Sequence, residues 1–340
     1  MDMIREAIKQ LSQRQDLSYE TALLVMDEIM EGKATDVQMS SFLTALSLKG
    51  ETIEEITACA EGMRSHCKRL LHAMEVLEIV GTGADHTNTF NISSTSSLVI
   101  SSCQVPIAKH GNRAASSACG SADVFEALGV NIHVSEETSR RMLEEIGLCF
   151  LFAQNYHISM KYVAPIRREL GIRTVFNILG PLANPAGASM QLMGVFDQSL
   201  IRPLAQVMSN LGVRRGMVVH GQDGMDEITL TSPTMICELK DGTFSEYSIT
   251  PEQFGFKRCS KEALLGGNAK ENAQITRSIL DGTLKGPKRE VVLLNSGCAL
   301  YIAGRANAIA EGLTLAQDAI DSGKALVQLQ NFIRLSNEER

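Results

Sequence analysis

The sequence predicts an α/β protein in two parts: a small all-helical domain over residues 1–72, and a larger domain over residues 73–340 with a mostly parallel central sheet flanked by helices. Three observations carry that expectation. Up to about residue 70, apolar side chains recur every three or four positions with no strand-like run. From Val76 onward, short apolar runs alternate with amphipathic stretches, the pattern of strands joined by crossover helices. Two of those runs break into glycine-containing loops, Gly81-Thr82-Gly83 and Lys109-His110-Gly111-Asn112-Arg113. Loops of that kind let backbone N–H groups approach an anion closely.

In chain order, Ile4, Ile8 and Leu11 share one face of a first helix. A second follows Ser18 as N-cap, carries Leu23, Leu24, Ile29 and Met30 on or beside its apolar stripe, and stops at Gly32. Thr35 caps a third, bearing Phe42, Leu43 and Leu46 and ended by Gly50. Thr52 and Glu55 form a capping box for a fourth, with Ile56, Ala60 and Met63 on one side. This segment is either a compact helical domain or a helical arm that packs on a partner.

Beyond it, strands are expected at 77–80, 107–109, 148–152, 192–196 and 216–220, with helices at 121–128, 136–146 and 200–211. Lys240-Asp241-Gly242-Thr243, between alternating segments bounded by Pro233 and Pro251, indicates a β-hairpin. The tail from Lys261 is helical again, while the short apolar run 291–294 suits a strand or a buried helix. Residues 159–185 read as helices interrupted at Pro165, Pro181 and Pro185, with Arg167, Arg168 and Arg173 close together. The plain alternative there is the solvated basic face of a connecting helix.

Composition narrows the function. A chain of 340 residues, 44% apolar, fills a substantial core. Its net charge of −7 argues against a protein devoted to gripping a nucleic-acid backbone and favours small-molecule chemistry. No apolar run approaches the roughly 20 residues that span a bilayer. The start MDMIREAIKQ lacks the basic and apolar sections of a signal peptide, so a cytoplasmic protein without a membrane partner is expected. The eight cysteines are scattered with no C-x-x-C and read as reduced, mostly buried side chains; His66, Cys67 and His72 are not read as a metal site.

The loop GTGAD lacks both the Lys-Ser/Thr of a Walker loop and the G-x-G-x-x-G spacing, which argues against an NTPase or a nicotinamide enzyme. Alone it is either a turn or an anion loop. Its sequel Thr89-Phe90-Asn91-Ile92-Ser93-Ser94 gathers hydroxyls and amides at an expected helix start, which suits phosphate or pyrophosphate. Lys109 and Arg113 can neutralise the remaining charge. Asp226-Glu227 directly follows a candidate strand and loop, where two hard oxygen ligands suit Mg²⁺; the alternative is a surface turn. The pairs Glu54-Glu55, Glu136-Glu137 and Glu144-Glu145 lie in helical stretches and read as solvated faces.

Together and in this order, GTGADHTNTFNIS, KHGNRAASSACGSAD, VAPIRRELGIRTVFNILGPLANP and GMDEI closely resemble the anthranilate phosphoribosyltransferase family, which serves tryptophan biosynthesis. The resemblance runs through nearly the whole chain and extends, more distantly, to the pyrimidine nucleoside phosphorylases that share the fold. The absence of tryptophan is consistent with an enzyme made when tryptophan is scarce. The resemblance implies that phosphoribosyl pyrophosphate (PRPP) is held by Gly81, Ala84, Asp85, Thr89, Asn91, Ile92, Ser93 and Ser94, and by Lys109, His110, Gly111, Asn112, Arg113, Ala114, Ala115, Ser116, Ser117 and Ser121. It further implies two Mg²⁺ ions, one on Ser93 and one on Asp226 with Glu227. Anthranilate would lie against Gly81, Asn112 and Arg167, with its carboxylate on Arg167. His110 would be a proton acceptor or a structural histidine, and no other catalytic residue is assigned. A homodimer paired through the helical domains is also implied, with 159–185 packed onto that domain.

Ala84 replaces a glycine common in the family, Ala118 a frequent basic residue, and Tyr156-His157-Ile158-Ser159-Met160-Lys161 lacks the usual proline. None removes a charge from the implied sites, so the departures predict changed affinity rather than changed reaction. The rival readings are a pyrimidine nucleoside phosphorylase, disfavoured by KHGNR and the acidic pair, and a non-catalytic nucleic-acid-binding relative, disfavoured by net charge.

Overall fold

The computed structural model describes residues 2–83, 85–114 and 118–338; Ala84, Ala115, Ser116 and Ser117 lie outside the described residues. The first four helices are α1 (Met3–Ser12), α2 (Tyr19–Met30), α3 (Asp36–Lys49) and α4 (Ile53–Ser65). Ser18, Thr35 and Thr52 each adopt extended backbone angles and accept a first-turn N–H, and the boxes at Thr35–Gln38 and Thr52–Glu55 are reciprocal. The buried stripe of α2 is Ala22, Val25, Met26, Ile29 and Met30. Leu24, expected on or beside that stripe, lies beside it and is 47% exposed, because the helical period that places Ala22, Val25 and Ile29 inward turns it to the rim.

Glu55 ties this bundle together. It is fully buried and accepts from Leu17 N (2.8 Å), Thr52 N (2.8 Å) and Lys49 Nζ (2.8 Å). Removing it leaves two backbone donors without a partner, while the Lys49 ammonium keeps Asp16 (2.7 Å) and the Gly50 carbonyl (2.9 Å), so Glu55→Ala is expected to destabilise the chain by about 2 kcal/mol. Urea denaturation checks this; a loss under about 1 kcal/mol would mean that water replaces all three bonds.

The remainder alternates strand and helix: β1 (Leu77–Gly81), α5 (Ile92–Ser102), β2 (Ile107–Gly111), α6 (Ser121–Leu128), α7 (Glu136–Ile146), β3 (Leu148–Phe152), α8 (Ala153–Tyr156), α9 (Met160–Leu170), α10 (Phe176–Leu182), β4 (Met190–Gly194), α11 (Ile201–Asn210), β5 (Arg215–Gly221), β6 (Thr234–Lys240), β7 (Thr243–Ile249), α12 (Ala269–Leu280), α13 (Pro287–Ile302), α14 (Ile309–Asp321) and α15 (Lys324–Ser336). Among the described residues the strands form one sheet in the order β3-β2-β1-β4-β5-β6-β7, with β1 to β5 parallel and the β6–β7 hairpin antiparallel. The two-residue period of the strands divides the interior. Leu192, Met217 and Val219 face a core shared with α5 and α13, whereas Met193 and Val218 face one continuous with α1 to α4. Val163 and Ile166 of α9 join that second core.

One sequence expectation shifts and one open alternative is settled. The fourth strand begins at Met190, two residues early, because buried Gln191 interrupts the apolar run; its amide is satisfied by the Pro181 carbonyl (2.7 Å). Residues 291–294 are helical, inside α13, whose burial on nearly every side hides its period.

The sheet order reverses between β1 and β4: the chain leaves β1 towards β2 and β3, then returns to β4 on the other side. Connections that diverge in this way open a crevice at the carboxyl ends of the two strands.

Candidate active site

Those carboxyl ends are Gly81 and Gly194, partners in the β1–β4 ladder. The loop after β5 lies across both. A Cβ on Gly194 would sit 1.6 Å from the Asp226 carbonyl oxygen, and one on Gly81 would sit 2.8 Å from the Asp226 carboxyl carbon. Only missing side chains admit this backbone, which brings Asp226 against the first glycine loop. Its Oδ2 accepts from Thr82 Oγ1 (2.9 Å) and Gly83 N (2.6 Å). Downstream, Asn295 of α13 brackets Ile228 N and O (3.2 and 2.8 Å), holding the acidic loop from behind.

Burial pushes the Asp226 carboxyl up to about 7, with the Asp85 charge adding to it. Glu227 is pushed up to about 8 by burial and then by Asp226, with Lys109 opposing. A buried and a half-buried acid that resist ionising together are a donor set that a divalent cation would relieve.

The second loop starts from β2. Lys109 is 2% exposed and donates to Ile79 O (2.7 Å) and Ser93 Oγ (3.3 Å), placing its ammonium beneath the start of α5. Burial lowers its pKa, while Glu78 and Glu227 oppose that shift. Asp123 closes the loop by accepting from Ala114 N (2.8 Å) and Gly120 N (2.9 Å). Arg113 also lines the cleft, where its half-exposed guanidinium pairs with Asp123 (3.1 Å) and Glu126 (2.7 Å).

The facing wall comes from α8, α9 and α10. The His110 and His157 rings meet at a tilt of 52°, with centroids 4.9 Å apart. Burial, then His157 beside it, brings His110 down to about 3, and burial brings His157 down to about 4, so both are neutral imidazoles and weak bases. Arg167 stands over the Phe176 ring, 5.6 Å from its centroid. Burial lowers its pKa, and no carboxylate pairs with it among the described residues.

These surfaces enclose a cleft of about 790 Å³. Gly81, Asp85, Thr89, Asn91, Ile92, Ser93, Ser94, Lys109, His110, Gly111, Asn112, Arg113, Ala114, Ser121, Arg167, Asp226 and Glu227 all line it. Sequence reasoning had not singled out Phe90 or Gly120, nor Gln154, Ala164, Phe176 and Gly180 on the facing wall. One signal was present: His157, Met160, Lys161, Ala164 and Arg167 recur at three- and four-residue spacing, one face of a helix opposite buried Val163 and Ile166.

A sheet that opens at its reversal, with two loops shaped for anions and a helical unit against one face, defines a class of transferase. Residues 73–326 match the family described as "Glycosyl transferase family, a/b domain", and residues 5–67 match its "helical bundle domain". The chain belongs to this glycosyl transferase family. It is 60% identical over 335 residues to the anthranilate phosphoribosyltransferase of Methanobrevibacter smithii, covering 98% of this chain and 100% of that protein. The crystal structure of anthranilate phosphoribosyltransferase from Thermus thermophilus matches with a TM-score of 0.93 at 42% identity, over 99% of this chain and 100% of that one. The Saccharomyces cerevisiae anthranilate phosphoribosyltransferase, solved in complex with PRPP and Mg, matches with a TM-score of 0.89 at 29% identity, over 98% of this chain and 97% of that one. Within the glycosyl transferases, the chain thus falls in the anthranilate phosphoribosyltransferase family.

Proposed function

We infer that this enzyme transfers the phosphoribosyl group of PRPP to the amine of anthranilate, releasing pyrophosphate and N-(5-phosphoribosyl)anthranilate, a step of tryptophan biosynthesis. The observation that carries the reading is one cleft joining two anion-ready loops, an adjacent acid pair and, beside an aromatic ring, a guanidinium that meets no carboxylate among the described residues.

In this reading the loops of β1 and β2 hold the diphosphate and ribose phosphate with backbone N–H groups and the Ser93, Ser94 and Ser121 hydroxyls. Ser93 and the Asp226–Glu227 pair would hold two Mg²⁺ ions, which neutralise charge on the departing pyrophosphate. Lys109 adds a fixed positive charge under the same position. Arg167 takes the anthranilate carboxylate and Phe176 flanks its ring, turning the amine towards the ribose C1. That amine is neutral and nucleophilic at pH 7, so no strong base is required, in keeping with a His110 that titrates near 3. Catalysis then rests on placement and on charge stabilisation.

The same proposal divides the chain at residue 72, assigns 159–185 to the helical side, and places the enzyme in the cytoplasm as a homodimer paired through its helical domains. Val37 and Leu48 of α3, 76% and 78% exposed, support that pairing. Among the described residues no helix is long and apolar enough to cross a membrane.

Pyrophosphate release from PRPP, anthranilate and Mg²⁺ tests the activity; silence there together with phosphate-dependent cleavage of a pyrimidine nucleoside would overturn it. Arg167→Ala is expected to raise the KM for anthranilate ~30-fold or more while leaving that for PRPP within about threefold. Equal losses for both substrates would remove Arg167 from the acid's pocket.

A further inference from the structure

Asparagine is a favoured N-cap, yet Asn91, at the N-cap of α5, gives its side chain to no first-turn N–H. It is used elsewhere. Asn91 Nδ2 donates across the cleft floor to the Cys119 carbonyl (3.1 Å), in the loop after β2. Its Oδ1 accepts from Nδ2 of Asn272 (2.9 Å), and Oδ1 of Asn272 accepts from Gly267 N (2.8 Å). Backbone groups of fixed polarity stand at both ends, a donor at Gly267 and an acceptor at Cys119, so both amides in between can be oriented in only one way.

Asn272 is 1% exposed on α12, outside every loop assigned to ligand binding. One turn on, Thr276 meets Thr95 of α5 (2.8 Å between hydroxyl oxygens), a second side-chain tie between α12 and the first turn of α5.

We propose that Asn272 is a positioning residue for PRPP: it holds the Asn91 side chain away from the end of α5 and sets the spacing of the two anion-binding loops. The N–H groups of the first turn are thereby kept from an internal cap. Asn272 touches no reacting atom and acts through Asn91. The inference rests on the transferase reading.

The test compares Asn272→Asp, which still accepts from Gly267 but no longer donates to Asn91, with Thr276→Val, which breaks only the neighbouring pair. Asn272→Asp is expected to raise the KM for PRPP, and the calorimetric Kd for pyrophosphate with Mg²⁺, about tenfold, with the KM for anthranilate within about twofold. Thr276→Val should lower Tm without that split. Combining Asn272→Asp with Asn91→Ala should be no worse for PRPP than Asn91→Ala alone, as expected of a residue acting through its neighbour. Should the buried aspartate prevent folding, Asn272→Ser, smaller and uncharged, is held to the same expectations. Equal rises in both KM values, additive losses, or a lowered Tm with unchanged pyrophosphate binding would each overturn the proposal. A wild-type chain that binds pyrophosphate but forms no product would overturn the transferase reading alone, leaving the calorimetric comparison to judge Asn272.

Discussion

Gly194→Ala is expected to abolish measurable transfer and to lower stability by about 3 kcal/mol. The new methyl would fall 1.6 Å from the Asp226 carbonyl oxygen and 2.3 Å from its carbon, both backbone atoms with no rotamer to yield. The loop after β5 must therefore lift, taking Asp226 away from Thr82 and Gly83 and Glu227 away from the start of α5. Thermal melting and a pyrophosphate-release assay check the two halves of the prediction. Near-wild-type activity would mean that the loop can sit elsewhere and still work.

The paired change Asp226→Asn with Glu227→Gln is expected to lower kcat/KM by about 10³-fold. It should also erase a specific pH signature. Both carboxyls titrate higher in the folded chain, at about 7 and about 8, than their ordinary 3.8 and 4.5. Between those limits the folded metal-free protein binds more protons than the unfolded chain, so their contribution to stability is present at low pH and is lost as pH rises through the folded values. Mg²⁺ binds the ionised pair, so it should raise Tm more at about pH 8.5 than at about pH 6. A Tm response to Mg²⁺ that survives in the double variant would remove the pair from the metal site.

What the sequence discloses of this molecule follows from how local each cause is. Ser18, Thr35 and Thr52 announce helix starts because a cap is made within four residues. The glycine loops after β1 and β2 were legible for the same reason. Gly194 was not, because what forbids its side chain is the backbone of Asp226, distant in sequence and brought over by tertiary packing. Gln191 hid a strand start, since its carbonyl partner, Pro181, belongs to another element. The partners of Arg113 were not legible either, because its neighbours in sequence do not reveal that Asp123 and Glu126 fold back onto it. Phe176 and Gly180 reach the cleft through the packing of α10, which no local spacing encodes.

The engagement of Arg113 has a consequence for how the enzyme meets its charged substrate. With that guanidinium paired to Asp123 and Glu126 and a net charge of −7, the long-range field of the molecule opposes a free polyanion, and the cations that favour it, Lys109 and Arg167, lie inside the cleft. The species that enters most readily is the chelated, partly discharged diphosphate, and attraction begins only at contact range. Added electrolyte then screens a repulsion instead of an attraction, so encounter quickens in brine where a steered enzyme would slow.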